Sequence, residues 1–177
     1  MMEATLISEL KAAIRDIPDF PRIGVTFKDI TPILGNGTLF QAAVAQMAEV
    51  CKREQVAKVA AVEARGFIFG AAIAAFLGIG FIPIRKKGKL PFLTRAIRYS
   101  LEYGSGELES HKDAFLAGER ISIVDDVLAT GGTARAAATL VQESGAQVVI
   151  TQCFLEISLL KGRYALAPLP VFSLIQF

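Results

Sequence analysis

The chain has no tryptophan, one histidine and two cysteines in 177 residues, and each scarcity removes a class of function. A lone His111 excludes multi-histidine metal chemistry, and no signature of a Ser-His or Cys-His nucleophile accompanies it. Cys51 and Cys153 are not spaced as C-x-x-C, so neither a metal site nor a disulfide framework is expected, and reduced cytoplasmic thiols are. A net charge of +2 is too small to argue for nucleic acid. Met1-Met2-Glu3-Ala4 lacks the basic and apolar regions of a secretory signal. Gly104 and Gly106 are not followed by a third spaced glycine and do not join a buried strand to a helix, so the dinucleotide fingerprint is absent. The uncharged stretch from Gly66 to Ile84 is long enough by count for a membrane span. It is broken by Gly70, Gly78, Gly80 and Pro83, and Gly78-Ile79-Gly80 reads as a turn from buried helix to buried strand, so no membrane association is expected.

What is present is a hydrophobic fraction of 53%, supplied mostly by Ala, Ile, Val and Leu, which suits a parallel sheet between helices. The length fits one domain, 1–177, that buries roughly two thirds of its unfolded surface. Leu6, Leu10, Ile14 and Ile17 predict an amphipathic helix ended by Pro18. Phe20 to Pro32 reads as an ordered irregular loop with at most a short strand, either a surface connector or a lid. A helix over Thr38–Gln55, a strand over Val56–Val62, a helix over Phe67–Leu77 and a strand over Phe81–Ile84 follow. Arg95–Tyr103 is expected to pair with Lys112–Phe115, leaving Leu101–Gly106 as a movable glycine-rich segment. Val148–Phe154 is a last long strand, and Leu166–Val171, interrupted by Pro168 and Pro170, can add at most an edge. The alternation predicts an α/β fold, one doubly wound, mostly parallel sheet flanked by helices.

The chemistry concentrates in Ile121 to Thr133. Ile121, Ile123 and Val124 read as a buried strand, so Asp125 and Asp126 at its end stand at the rim where such sheets bind ligands. Ala129-Thr130-Gly131-Gly132-Thr133 then precedes a helix over Ala134–Ser144. Backbone N–H groups of this turn and the positive helix end suit a phosphate dianion. The acids would repel it, which gives them sugar hydroxyls to bind instead. Together these parts form a cradle for a ribose 5-phosphate. Arg65, at the end of the Val56–Val62 strand, is either a surface partner of Glu63 or a bidentate clamp for a diphosphate. Arg85, Lys86, Lys87 and Lys89 around Gly88 read as a solvated turn, a nucleic-acid patch or, beside a phosphate cradle, a polyanion clamp.

The run Val124–Thr133 resembles the 5-phosphoribosyl-1-pyrophosphate (PRPP) motif of the type I phosphoribosyltransferases, in the form found in their adenine-specific branch. Further matching blocks are Gly24–Ile30, Glu63–Phe67, Arg85-Lys86 with Gly88–Pro91, and Ser100–Gly104. The resemblance implies transfer of the phosphoribosyl group from PRPP to adenine, giving AMP and pyrophosphate, with Mg²⁺ held mainly through substrate oxygens and at most through water by Asp125 and Asp126. It implies a small N-terminal hood over the base (about 1–35), with Val25, Thr26 and Lys28 meeting adenine, and a mobile catalytic loop (about 85–110). Ala129, Thr130, Gly131, Gly132 and Thr133 would hold the 5-phosphate, and Asp125 with Asp126 the ribose hydroxyls. Arg65, Arg85, Lys86 and Lys89 would hold pyrophosphate, some of them in a neighbouring subunit of a homodimer. Glu102 would exchange a proton with the purine and Tyr103 help close the site, although residue pattern alone makes Glu102 an exposed loop acid. Lys28 stands where the family commonly has arginine, which removes a planar fork, and Phe92-Leu93 replaces a more polar or glycine-containing stretch. A PRPP-sensing regulator would need a DNA-binding module that Leu6–Ile17 does not provide. A transferase for xanthine, hypoxanthine or orotate is disfavoured by the hood and by Leu101-Glu102-Tyr103.

Overall fold

The structure, a computed structural model, describes residues 2–101 and 104–177. In chain order the elements are α1 (Met2–Ala13), β1 (Arg15–Ile17), β2 (Phe27–Asp29), α2 (Thr31–Leu34), α3 (Gly37–Arg53), β3 (Lys58–Val62), α4 (Gly66–Leu77) and β4 (Gly80–Lys86). They continue with β5 (Thr94–Leu101), β6 (Gly104–His111), β7 (Arg120–Leu128), α5 (Gly132–Glu143), β8 (Gln147–Glu156), α6 (Gly162–Leu166) and β9 (Val171–Gln176). Among the described residues the larger sheet has seven strands in the order β5-β6-β4-β3-β7-β8-β9, and β1 pairs with β2 alone. From β4 to β9 neighbours across β3, β7 and β8 are parallel, while β6 joins β4, and β5 joins β6, antiparallel.

Strand alternation divides the core between two layers. Val59, Ala61, Val124 and Phe154 face α3 and α4, where Val44, Met47, Phe69 and Ile73 meet them. Ala60, Val62, Ile84, Ile121 and Ile123 face α5 through Ala137, Leu140 and Val141. Phe69 and Phe154 are fully buried and stack at 4.8 Å, each worth about 1.5–3 kcal/mol of transfer free energy. The start of α3 is fixed by Asn36, whose side chain accepts from the N–H groups of Thr38 and Leu39 at 3.1 and 3.2 Å.

Three expectations change. The first helix stops at Ala13, because Arg15–Ile17 is drawn into antiparallel pairing with Phe27–Asp29, an extended state that Pro18 also favours for the residue before it. Lys112–Phe115 is a turn and not a strand. The true partner of β5 is β6, with Leu101 opposite Gly104 and Tyr99 opposite Gly106. Gly104–Gly106 therefore belongs to a strand and not to an irregular loop. The run Gly104–Ser110 holds one apolar residue, Leu108, so its alternation is faint in sequence, and what holds it is cross-strand pairing such as Arg98 with Glu107 at 3.0 Å. Finally, the edge strand begins only at Val171, after both prolines, and runs parallel to β8.

Candidate active site

The two acids stand at the rim because β7 outruns its neighbour. Pairing of β3 with β7 ends at Ala61 opposite Val124, whereas β7 continues beside β8 until Leu128 meets Glu156. Asp125 and Asp126 thus lie within the strand, one step later than a strand ending before them would place them, yet beyond the reach of β3. The start of α4 closes over this overhang. A Cβ on Gly66 would lie 2.9 Å from the Val124 carbonyl oxygen and 3.0 Å from Asp125 Oδ1, so only glycine permits the approach. Asp125 Oδ1 accepts from the N–H of Asp126 at 2.9 Å. Burial pushes the Asp125 carboxyl well above the ordinary range, and the adjacent Asp126 carboxylate pushes in the same direction.

Arg65 caps α4 and faces these acids. Its Nε is 2.7 Å from Oδ2 of Asp126, which is only 5% exposed, and its guanidinium carbon is 5.1 Å from the centre of the Phe27 ring. The alternative of a surface pair between Arg65 and Glu63 is not what forms. Glu63 Oε2 instead accepts from Arg85 Nε at 2.9 Å and from the Lys86 N–H at 3.3 Å.

Past the acids, Gly131 adopts φ +85° and hands the chain to α5 at Gly132. The turn bounds a bowl of about 70 Å³ lined by Asp125, Val127, Leu128 and Ala129 through Ala134. A larger cavity of about 400 Å³ adjoins it, lined by Val62, Glu63, Ala64, Arg65, Asp125, Asp126, Val127, Ala129 and Thr133. The two share Asp125, Val127, Ala129 and Thr133. A ligand with a terminal phosphate can therefore seat it on the backbone donors of Ala129–Thr133 and reach the acids and Arg65 with its remainder.

The cationic turn after β4 is shaped by two acids that its own sequence does not announce. Besides Glu63, the almost fully buried Glu109 accepts from the N–H groups of Lys89 and Leu90 at 2.9 and 3.0 Å. Burial raises the Glu109 carboxyl, but the N–H groups of Leu90 and Lys89 outweigh it and leave it below the ordinary value. Arg85 also donates to the Lys89 carbonyl at 2.9 Å, so the turn is folded back on itself beside the larger cavity.

The N-terminal strands approach through Phe27, which lies between Thr26 and Lys28 and has no polar group to mark it in the sequence. Val25 is tied into its own turn by bonds with Phe20 and Arg22. The Lys28 ammonium lies 2.7 Å from Asp16 and 4.1 Å from the centre of the Phe177 ring, so its side chain is committed to these partners and not to Arg65 or Asp126. Glu102 and Tyr103 lie outside the described residues. The described residues hold no group of three or more His, Cys, Asp or Glu suited to a metal ion.

Comparison with known proteins gives this geometry a context. Residues 33–167 match the family model of the phosphoribosyl transferase domain, a span that includes Arg65, both acids and the glycine turn but not β1, β2 or β9. An adenine phosphoribosyltransferase of Methylacidiphilum infernorum is 51% identical over 171 residues, covering 97% of this chain and 96% of its own. The crystal structure of the adenine phosphoribosyltransferase of Thermoanaerobacter pseudethanolicus superposes with a TM-score of 0.94 at 47% identity, over 97% of this chain and 99% of its own. The Saccharomyces cerevisiae enzyme, solved with an iminoaltritol bisphosphate and adenine, gives 0.91 at 39% identity, over 97% and 99%. A match of this extent, falling on the same rim that carries the paired acids and the glycine turn, places the chain in the adenine phosphoribosyltransferase family.

Proposed function

We propose that the chain salvages adenine, transferring the 5-phosphoribosyl group of PRPP to the base and releasing AMP and pyrophosphate. The observation that carries this reading is the joined pair of cavities: a phosphate-sized bowl under a helix start, opening onto two acids and an arginine. The 5-phosphate sits on Ala129, Thr130, Gly131, Gly132 and Thr133. Asp125 and Asp126 accept from the ribose hydroxyls, and the ribose in turn draws Asp126 away from Arg65. Freed, Arg65 turns its guanidinium to the departing diphosphate, with Arg85, Lys86 and Lys89 nearby on the folded turn. Because the bond to C1 breaks early, charge complementarity and exclusion of water matter more than a nucleophile.

The base enters under the N-terminal hood and meets backbone groups around Val25, Thr26 and Lys28, Val25 through its carbonyl oxygen alone because its N–H is held by Arg22. Adenine presents a donor at its amino group and an acceptor at N1, a pattern that 6-oxopurines reverse. Glu102 exchanges a proton with the purine and Tyr103 helps close the site, roles that rest on sequence resemblance. The residues suit Mg²⁺ carried in on the substrate: two adjacent carboxylates offer hard oxygen donors but not a full cage. When bound, the ion neutralises charge on the diphosphate. The single domain comprises the hood (about 1–35) and a mobile part (about 85–110) whose strands β5 and β6 carry the Glu102 segment. A homodimer is supported by α4, which is apolar all round, with Ile68 39% and Phe76 50% exposed. A cytoplasmic location is consistent with free cysteines, and no helix of the described residues is long and apolar enough to cross a membrane.

The test is AMP and pyrophosphate formation from PRPP and Mg²⁺ with each purine in turn. Turnover with adenine alone supports the reading. Equal turnover with hypoxanthine overturns the base assignment, and PRPP binding without turnover on any base moves the chain to a sensor.

A further inference from the structure

The glycine turn does not hold its own shape: it rests on a segment from the far end of the chain. A Cβ on Gly131 would stand 2.5 Å from the carbonyl oxygen of Gly162 and 2.9 Å from Ala165 Cβ. A Cβ on Gly162 would overlap the carbonyl oxygen of Ala129 and stand 2.9 Å from Leu128. The two glycines are interlocked, each leaving room for the other's backbone. Gly162 is not at positive φ, so its own conformation does not require glycine, and the demand comes from the turn against it. The residue before it, Lys161, sits in the left-handed region at φ +55°, an arrangement that persists only where surroundings enforce it. The enforcement is visible. Arg163 Nε lies 2.9 Å from both oxygens of the buried Glu156, its Nη1 donates to the Val171 carbonyl at 2.8 Å, and its Nη2 to Ser173 Oγ at 3.3 Å. Ser173 Oγ in turn donates to Glu156 Oε2 at 2.6 Å. On the other side of α6, Leu166 packs with Leu128, Ala134 and Cys153 beneath the turn.

We propose that Lys161-Gly162-Arg163 is the positioning element of the phosphate turn, with Gly162 setting where the Ala129–Gly131 backbone stands and the Glu156–Arg163–Ser173 network holding Gly162 in place. This rests on the assignment of that turn to the 5-phosphate. The donors for a phosphate are then aligned before it arrives, because the backbone that carries them has no freedom to relax toward α6.

The experiment compares Gly162→Ala and Arg163→Lys with the unaltered chain. Alanine suits the backbone at 162 and improves helix propensity, so its disturbance is confined to the overlap with Ala129 and the close approach to the Leu128 side chain, both against the turn. Lysine keeps a cation for Glu156 but loses the fork that reaches Val171 and Ser173. The readouts are KM for PRPP, KM for adenine and the Kd of ribose 5-phosphate by calorimetry. The expected result is a rise of tenfold or more in KM for PRPP and in the Kd with Gly162→Ala, a smaller rise in the same two with Arg163→Lys, and a change of less than twofold in KM for adenine. Merely structural damage would lower the active fraction, and with it kcat, and leave both KM values alone, which would overturn the proposal, as would equal rises for both substrates. If Gly162→Ala does not fold, the Arg163→Lys comparison decides alone by the same criteria. An unaltered chain that forms no AMP overturns the functional reading and this inference with it, whereas a working enzyme with unmoved PRPP constants in the variants overturns this inference only.

Discussion

The Arg65 guanidinium lies 5.1 Å from the centre of the Phe27 ring, which links the N-terminal strands to the rim of the main sheet through one cation. The same guanidinium holds Asp126 at 2.7 Å. One side chain therefore touches both the strands proposed to cover the base and an acid proposed to bind the ribose. Phe27→Ala is expected to raise KM for adenine about threefold to tenfold, the scale of one cation–π and aromatic contact of about 1 kcal/mol. Steady-state kinetics with PRPP saturating reads it, and an unchanged KM for adenine would detach the hood from the site.

Asp126→Asn removes a charge-assisted contact that the ribose hydroxyls are expected to use. Its kcat/KM for PRPP should fall about 10- to 100-fold, matching a loss of roughly 1.5–3 kcal/mol. Circular dichroism should show the fold intact, and a variant of undiminished activity would remove Asp126 from the site.

Asp125 should trade stability for function. Its carboxyl is raised by burial and by Asp126, so folding favours the protonated form. That contribution is fully present below the ordinary carboxylate pKa and is lost as pH rises through the raised value. At neutral pH the charge is a net burden, and Asp125→Asn should raise Tm, by about 2–4 °C for each kcal/mol relieved, while activity falls. A lowered Tm at neutral pH would contradict the burial argument.

Glu156 behaves in the opposite sense. Burial alone would raise its carboxyl, but Arg163 and Ser173 hold it below the ordinary value. Its contribution is present above the ordinary carboxylate pKa and is lost as pH falls through the lowered one. Glu156→Gln should cost about 1–3 kcal/mol at neutral pH, toward the lower end because Arg163 is 40% exposed, and the gap from the unaltered chain should close in acid. Urea unfolding at neutral and acid pH measures this, and a constant gap would refute it.

The apolar face of α4 yields a test of assembly. Ile68→Asp with Phe76→Asp should shift the sedimentation of the chain from dimer to monomer, since neither residue is buried within the chain. A dimer that survives both charges would place the interface elsewhere.

Sequence pattern reaches the parts of this molecule that repeat. The helix over α3 and the strands β3, β7 and β8 are visible because one or both faces are apolar at a regular spacing, and the glycine turn is visible because its composition is unusual. Arg65 and the acids are placed at a rim by strand logic alone, and the structure brings them together. What pattern cannot reach are pairings made at a distance. Glu107, Glu109 and Gly106 form a strand because β4 and β5 flank them, not because their own sequence is β-like. Arg65 takes Asp126 and leaves Glu63 to Arg85, a choice between neighbours in sequence and neighbours in space. Lys28 is bound by Asp16 and Phe177, which only the folded chain brings near.

The order of strands also bears on when the molecule becomes competent during its own folding. Hairpin β5–β6 closes between near neighbours, but β7 finds its register only by joining β3, made long before it, and β8, made after. Contacts of high sequence separation form late. The rim that carries Asp125 and Asp126 is thus expected to pair after the β5–β6 hairpin, so that a partly folded chain would hold a hairpin before it holds the rim.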